Sequence, residues 1–195
     1  MSGDLQSVLS QMRACRLCEG EMERKPNPIF QLSPSARILI VGQAPGARVH
    51  DSGKPFDDPS GQRLREWMGI TPDAFYDRDR IAIVPMAFCF PGYDAKGSDL
   101  PPPPLCAATW RGRVMELLQP RLTLLIGGHA QRWHLGTRAP VSRVVEGWRD
   151  QLPGVFPLPH PSWRNTAWLK RNDWFARDLL PALRARVHEV LNDPA

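Results

Sequence analysis

The sequence predicts an α/β protein, a three-layer α/β/α sandwich around a mostly parallel sheet of about four strands. Four short apolar runs carry this prediction, and they lie at 38–41, 81–88, 122–126 and 155–158. Runs of this length between turn residues are typical of buried strands. Segments with helical spacing of apolar residues alternate with these runs, which is the chain order of a parallel sheet covered by helices.

Apolar residues recur at helical spacing in five segments, at 4–13, 62–68, 107–118, 129–135 and 173–191. Thr71 followed by Pro72 has the pattern of an N-cap with proline at the first helical position, which predicts a further short helix. Pro181 lies inside the last segment and predicts a kink or a break there. The proline-rich stretch 90–104 is predicted to be a long loop, and 137–154 is polar with no predicted element.

Composition restricts the functional classes. A chain of 195 residues with 42% hydrophobic residues is long enough for one domain with its own core. It has no run of eighteen apolar residues and no secretory signal, so we expect a cytoplasmic protein without a membrane span. The net charge of +5 permits a polyanionic partner without requiring one. No feature of the sequence indicates an oligomer, and a monomer is expected.

The loop after the first predicted strand is the first candidate for a ligand site. It spans 42–61 and contains the polar neighbours His50 and Asp51. Open α/β sheets bind their ligands at the carboxyl ends of the strands. Further polar segments follow the second and fourth predicted strands, at 85–89 and 160–165. We therefore expect all three segments to meet at one edge of the sheet.

The four cysteines form two pairs. Cys15 and Cys18 make a Cys-x-x-Cys motif near the start, and Cys89 and Cys106 bracket the proline-rich loop. In a chain without an export signal they are not expected to form disulfides. Buried free thiols, a zinc site and a [4Fe–4S] cluster all remain open, because four cysteines suit either metal group and the spacing does not decide between them.

Three motifs in order resemble those of the uracil-DNA glycosylase superfamily: Gly-Gln-Ala-Pro-Gly at 42–46, Gly-Lys-Pro-Phe at 53–56 and His-Pro-Ser at 160–162. The cysteine layout looks like that of the iron–sulfur branch, family four. The resemblance covers nearly the whole chain, and each motif alone is weak. It implies one glycosylase-like domain over 1–195 and a [4Fe–4S] cluster whose ligands are Cys15, Cys18, Cys89 and Cys106.

The resemblance also implies roles for individual residues. His160 donates to the carbonyl of the leaving base, Phe56 stacks on its face, and one of Gln43, His50 and Asp51 orients the attacking water. The base pocket is then lined by Gly42, Gln43, Ala44, Phe56 and His160. The residues implied to contact DNA are Ser162, Trp163, Arg164 and Asn165.

The implied function is DNA repair by hydrolysis of the N-glycosidic bond of uracil, or of a related deaminated base, flipped out of DNA. The sequence departs from the family pattern in two places. Gln43 and Val49 stand where the first motif has glutamates, and Pro85 stands where an asparagine reads uracil. The alternative is therefore a protein that binds damaged or abasic DNA with little turnover. A third hypothesis is a small α/β enzyme acting on a free nucleoside or nucleotide.

Each of these residues also has a purely structural explanation. His160 before a proline is consistent with a hydrogen-bonded structural histidine. Phe56 is consistent with core packing, and the neighbours His50 and Asp51 with a solvated loop. The spatial arrangement of these residues decides which explanation holds.

Overall fold

Four short strands form an all-parallel sheet at the centre of the protein. The computed structural model describes residues 2–193. The sheet order is β2-β1-β3-β4, and every neighbouring pair is parallel. The strands are β1 (Ile38–Val41), β2 (Ile81–Ile83), β3 (Leu122–Ile126) and β4 (Val155–Leu158). The predicted fold class is therefore confirmed, and β1, β3 and β4 have the predicted bounds.

Helices cover both faces of the sheet. Among residues 2–193, none of them is both long and apolar enough to cross a membrane. They are α1 (Ser2–Arg13), α2 (Ala47–Ser52), α3 (Pro59–Met68), α4 (Pro72–Tyr76), α5 (Pro104–Leu117), α6 (Gly128–Leu135), α7 (Val141–Glu146), α8 (Thr166–Arg171) and α9 (Leu180–Asn192).

Alternate residues of β1 point to opposite faces of the sheet and contribute to two separate cores. Ile38 and Ile40 pack in a core with residues of α3, α7 and α9. Leu39 and Val41 pack in a second core with residues of α1, α5 and α6. Because both faces are covered, all four β1 residues are apolar and buried, as is usual for parallel strands.

The second strand is shorter than predicted, because β2 ends at Ile83 rather than at residue 88. The chain leaves strand geometry near Pro85 but stays beside β1. The backbone N–H of Val84 donates to the carbonyl of Ile40 at 2.9 Å, and that of Met86 donates to Gly42 at 2.9 Å. A buried apolar loop has the same hydrophobic pattern as a buried strand, which is why the prediction was wrong here.

Two of the helices, α3 and α5, begin about one helical turn earlier than predicted. Helix α3 starts at Pro59, and the Asp58 carboxylate caps it by accepting from the N–H of Gly61 at 2.8 Å. Helix α5 starts at Pro104, so that Cys106 lies in its first turn instead of preceding it. Proline is favoured in a first helical turn, where its missing N–H has no intrahelical partner to lose.

The predicted N-cap at Thr71 is confirmed, since its hydroxyl accepts from the N–H of Ala74 at 3.3 Å. The kink or break predicted at Pro181 takes the form of a change in helix type: a π-helical turn at Phe175–Leu179 leads directly into α9, whose first turn contains the proline. The prediction that residues 137–154 form no helix or strand was wrong. Helix α7 and a 3₁₀ turn at Trp148–Gln151 form there, because Val145 and Trp148 are buried in the core.

Candidate functional site

The sheet order places the loop after β1 beside a crevice. The chain passes from β1 to β2 on one side, and then returns to β3 on the other side of β1. Loops diverge where the direction of winding reverses in this way, and open α/β proteins bind ligands there. Gly42 follows β1 directly and begins this loop.

Hydrogen bonds on both sides hold the loop after β1. The carbonyl of Gly42 accepts from the N–H of Met86 at 2.9 Å, and that of Gln43 accepts from Ala87 at 3.0 Å. The Gln43 side-chain amide donates to the carbonyl of Leu100 at 3.2 Å. The first motif is therefore fastened both to the segment after β2 and to the proline-rich loop.

Phe56 has an unusual backbone conformation beside this loop. Its φ of 55° lies in the left-handed region, which a bulky residue adopts at a cost of about 1–3 kcal/mol. Its carbonyl accepts from Arg65 at 3.4 Å and from the Tyr76 hydroxyl at 3.3 Å. A Cβ on Gly42 would lie 3.4 Å from the Phe56 ring, and a Cβ on Gly61 would lie 1.8 Å from the Phe56 carbonyl oxygen. Because neither Gly42 nor Gly61 has a Cβ, the Phe56 ring can lie against Gly42.

His160 follows β4, and two contacts fix the segment that carries it. The carbonyl of Leu158 accepts from the N–H of Gly127 at 2.9 Å and from the side-chain amide of the buried Gln131 at 3.0 Å. The Asn165 amide donates to the carbonyl of His160 at 2.7 Å. The end of β4 and the following turn therefore hold the backbone of His160 in place.

Burial lowers the pKa of His160 below its ordinary value, although the negative charges of Asp58 and Asp99 act to raise it. The imidazole is therefore neutral at pH 7. A neutral imidazole donates one N–H, and such a donor is suited to stabilising negative charge that develops on a bound carbonyl.

Asp99 joins the site although the sequence did not indicate it. Its carboxylate Oδ2 lies 3.7 Å from the position that a Cβ on Gly46 would occupy. The negative charge of Asp99 acts to raise the pKa of His160, and the charge of His160 acts to lower the pKa of Asp99. No motif or spacing relates an aspartate in a proline-rich loop to residues more than fifty positions away. The fold of that loop alone brings Asp99 here.

Arg63 also belongs to this region and was not predicted. Its guanidinium donates from Nη1 to the carbonyl of Ser162 at 2.9 Å. It thereby connects helix α3, which follows the Phe56 segment, to the turn that follows His160. Polar side chains on exposed helix faces are common, so the sequence offered no signal for this contact.

His50 and Asp51 contact a different part of the protein. Asp51 pairs with Arg24 at 2.6 Å, and its side chain is 65% exposed. The His50 ring meets the Phe90 ring edge-on at 6.3 Å between centroids, and the His50 carbonyl accepts from Asn27 at 2.9 Å. Asp51 is thereby directed toward Arg24, whereas the His50 ring lies against the proline-rich loop. Their roles in handling water stay predictions.

The turn after His160 presents an aromatic side chain to solvent. Trp163 is 74% exposed, which is exceptional for tryptophan, and lies in a 3₁₀ turn at Trp163–Asn165. The Arg164 guanidinium lies 6.0 Å from its ring centroid. Ser162 and Asn165 make the internal hydrogen bonds described above, so Trp163 and Arg164 are the members of this predicted group that point outward.

All four cysteines line one small cavity, although they come from three distant parts of the chain. Cys15 and Cys18 follow α1, Cys89 follows β2, and Cys106 lies in the first turn of α5. The remaining walls of this cavity are apolar and consist of Leu17, Met22, Pro26, Pro28, Ala87 and Phe88. The fold therefore brings the predicted ligand set together.

Burial is the main cause of raised pKa values in this cavity. It raises the pKa of the Cys89 thiol to about 12 and that of Cys106 to about 11, and the neighbouring thiols add to both shifts. The pKa of Cys18 is also raised, chiefly by burial. Within residues 2–193, no three His, Cys, Asp or Glu side chains form a group that would hold a single metal ion. In a [4Fe–4S] cluster each thiolate binds a different iron, so its cysteines stand further apart than the ligands of one ion. The apolar four-cysteine cavity suits that donor arrangement.

Fold and site together define an α/β protein whose three motif-bearing loops follow strands of one parallel sheet, with a four-cysteine cavity beside the segment after β2. The family model of the uracil DNA glycosylase superfamily matches residues 29–184, and the chain belongs to this superfamily. The match contains the segments around Gly42, Phe56 and His160 and begins after Cys15 and Cys18. The predicted family is thus confirmed.

One relative among curated proteins is a type-4 uracil-DNA glycosylase from Sulfurisphaera tokodaii. It is 22% identical over 173 residues, which cover 81% of this chain and 74% of that protein. The name of this relative gives the same type that we named from the cysteine layout.

Proposed function

We propose that this protein is a DNA glycosylase, formed by one domain over 1–195, that hydrolyses the N-glycosidic bond of uracil or a related deaminated base. The observation that supports the proposal is that Gly42 follows β1 and His160 follows β4 at the carboxyl ends of one parallel sheet, in a member of this superfamily. The target base is flipped out of the DNA, because its sugar carbon is inaccessible within the stack.

The crevice offers three kinds of contact to a flipped base. Phe56 stacks on its face, and the backbone N–H groups of Gln43 and Ala44 bind its edge. As the bond between the base and the sugar breaks, negative charge develops on the base, and His160 donates its N–H to the carbonyl that receives that charge. The sugar gains oxocarbenium character and is attacked by water.

Trp163 and Arg164 supply the proposed DNA contacts next to the pocket. An exposed indole inserts between base steps and helps to unstack the target, while the guanidinium binds a phosphate. The net charge of +5 supports binding to a polyanion.

We expect Arg164→Ala to weaken DNA binding about equally for all sequences and to reduce the slope of log affinity against log salt by about 1. The physical reason is the loss of one phosphate contact and of the counterion that it releases. Arg78→Ala is the matched control, since Arg78 is exposed just before β2, at the opposite edge of the sheet. Retardation of a labelled duplex over a salt series measures both variants. An unchanged salt slope in Arg164→Ala would remove this residue from the interface.

We further propose that Cys15, Cys18, Cys89 and Cys106 hold a [4Fe–4S] cluster, with zinc as the alternative. The bound cluster supplies a structural cross-link, and it requires thiolates, so binding displaces the thiol protons. The chain's own contribution is the apolar cavity, which excludes water from the cysteines. The cross-link joins the end of α1 to the start of α5 and to the proline-rich loop.

Purification without oxygen is expected to give a brown protein that absorbs near about 400 nm. Cys89→Ser should lose the colour and the iron and should unfold at a lower temperature, because the cross-link is lost. Iron and zinc analysis with thermal unfolding measures this. A colourless preparation that contains zinc instead of iron would contradict the cluster assignment.

A second candidate function is binding of damaged or abasic DNA with little turnover. The observation in its favour is the loss of the family's first-motif carboxylates. Val49 is only 5% exposed and packs as a core residue, and the Gln43 amide is engaged with Leu100. Neither position supplies a base for water, so turnover depends on a carboxylate from elsewhere in the chain.

One activity panel separates the two functions. Labelled oligonucleotides that contain uracil, hypoxanthine, xanthine or an abasic site are incubated with the protein and then treated with alkali, in single- and double-stranded form. Scission at a deaminated base supports the glycosylase. Salt-dependent binding to the same DNA without scission at any base supports the binding protein instead, and the glycosylase proposal then fails.

A further inference from the structure

We propose that Asp99 is the catalytic base of this site, the carboxylate that accepts the proton of the water attacking the sugar. The inference rests on the proposed glycosylase function and deepens it. It answers the question raised by the buried Val49 and the engaged Gln43, namely which group replaces the carboxylates of the first motif.

The proline-rich loop folds back on itself to present Asp99 to the crevice. Tyr93 and Asp99 form an antiparallel bridge, and the N–H of Leu100 donates to the carbonyl of Gly92 at 2.9 Å. The Asp94 carboxylate closes the turn between them by accepting from the N–H groups of Lys96 and Ser98 at 2.8 and 2.9 Å. The loop is thus a short hairpin over residues 92–100.

This hairpin is fastened to the first motif next to Asp99. The carbonyl of Leu100 accepts from the Gln43 side chain, and the Asp99 carboxylate lies over Gly46, where helix α2 begins. The carboxylate is therefore held against the same loop whose N–H groups are proposed to bind the base edge. The charge of this carboxylate also acts on His160, whose pKa it raises.

Two of the other carboxylates near the first motif are already engaged. The Asp58 carboxylate caps helix α3 through the N–H of Gly61, and Asp51 is paired with Arg24. By contrast, the charged groups that influence Asp99 are Arg164, His160 and Asp58, and none of the described residues donates a hydrogen bond to its carboxylate. Asp99 is therefore a carboxylate beside the first motif that is available to a water molecule.

The electrostatics of Asp99 suit a base. Its carboxyl group is partly buried although the residue as a whole is exposed, and this burial raises its pKa above the usual aspartate value. The charges of Arg164 and His160 act in the opposite direction, and that of Asp58 adds to the rise. Bound DNA would cover the carboxylate and remove more water from it. This would raise the pKa of Asp99 further and make it a stronger base.

The step balances in atoms and electrons. The water oxygen bonds to the sugar C1′ while the bond from C1′ to the base nitrogen breaks, and that electron pair leaves with the base. Asp99 takes the proton that the water loses, and His160 stabilises the departing base by its hydrogen bond. The products are an abasic sugar with a hydroxyl on C1′, a protonated Asp99 and the base as its anion, which then takes up a proton as Asp99 releases its own.

The test compares Asp99→Asn with Asp79→Asn, its matched control. Asp79 is an exposed aspartate that lies just before β2, at the opposite edge of the sheet. Single-turnover rates on a uracil duplex are measured over a pH series. We expect Asp99→Asn to lower the rate by at least about 100-fold with little change in DNA affinity, and to remove the fall in rate toward acid pH that protonation of Asp99 causes. The control variant Asp79→Asn should keep both the wild-type rate and its fall toward acid pH.

A second readout does not depend on turnover. The Asp99 charge raises the pKa of His160, so Asp99→Asn should lower that pKa further, which a titration followed by NMR of the His160 ring measures. The inference is overturned if Asp99→Asn keeps both its rate and its fall in rate toward acid pH. It is also overturned if Asp51→Asn, and not Asp99→Asn, loses that fall in rate. Both outcomes leave the glycosylase proposal intact. A wild-type protein that excises no base overturns the glycosylase proposal itself.

Discussion

Replacing His160 by alanine should lower the rate of base excision by about 10²- to 10³-fold, the usual effect of removing one donor that stabilises a developing oxyanion. DNA affinity should change far less. The imidazole binds only the base that has left the stack, whereas most binding energy comes from phosphate contacts. Single-turnover rates and retardation of the same duplex measure the two effects separately.

His188→Ala is the control for this prediction, because His188 is an exposed histidine on α9. His160→Gln should recover part of the lost rate, since an amide also donates an N–H. A purely structural His160 would behave differently. Its loss would lower stability and leave the rate per folded molecule unchanged, and glutamine would then offer no advantage over alanine.

Gly61→Ala is expected to disrupt the site from a distance. The added Cβ would lie 1.8 Å from the Phe56 carbonyl oxygen and 2.7 Å from its carbonyl carbon, and these backbone atoms have no freedom to move aside. Alanine is the better helix former by up to about 1 kcal/mol, but overpacking against backbone outweighs it. We expect the free energy of unfolding to fall by about 3 kcal/mol. Displacement of Phe56 should also abolish base excision.

Gly112→Ala is also a glycine-to-alanine change within a helix, and it should have the opposite effect on stability. Gly112 lies inside α5, and a Cβ there meets no atom within 4 Å. Only the helix propensity changes, so the protein should become more stable by about 0.5–1 kcal/mol. Urea unfolding followed by circular dichroism compares the two variants. Equal stability of Gly61→Ala and the wild-type protein would show that the Phe56 segment moves freely.

The elements that the sequence predicted well depend on local patterns. The bounds of β1, β3 and β4 follow from short apolar runs that glycine, proline or polar residues terminate. The N-cap at Thr71 and the break at Pro181 follow from the chemistry of single residues. The errors occurred where a pattern has two physical meanings, as in the apolar segment after Ile83, which is buried as a loop.

The candidate site was predictable only where residues follow a strand directly. His160 and Gly42 come straight after β4 and β1, so the parallel sheet places them at one edge. The placement of His50 and Asp51 depends instead on α2, a six-residue helix without a clear pattern. That helix directs Asp51 toward Arg24.

By itself, the sequence determined the α/β sandwich, the superfamily, and the order of the motifs around Gly42, Phe56 and His160, because these depend on residue types at short spacing. Only the tertiary structure brought the cysteines of three segments to one cavity and folded the proline-rich loop so that Asp99 lies beside Gly46. Contacts between residues far apart in the chain depend on packing and loop geometry, which no local pattern encodes.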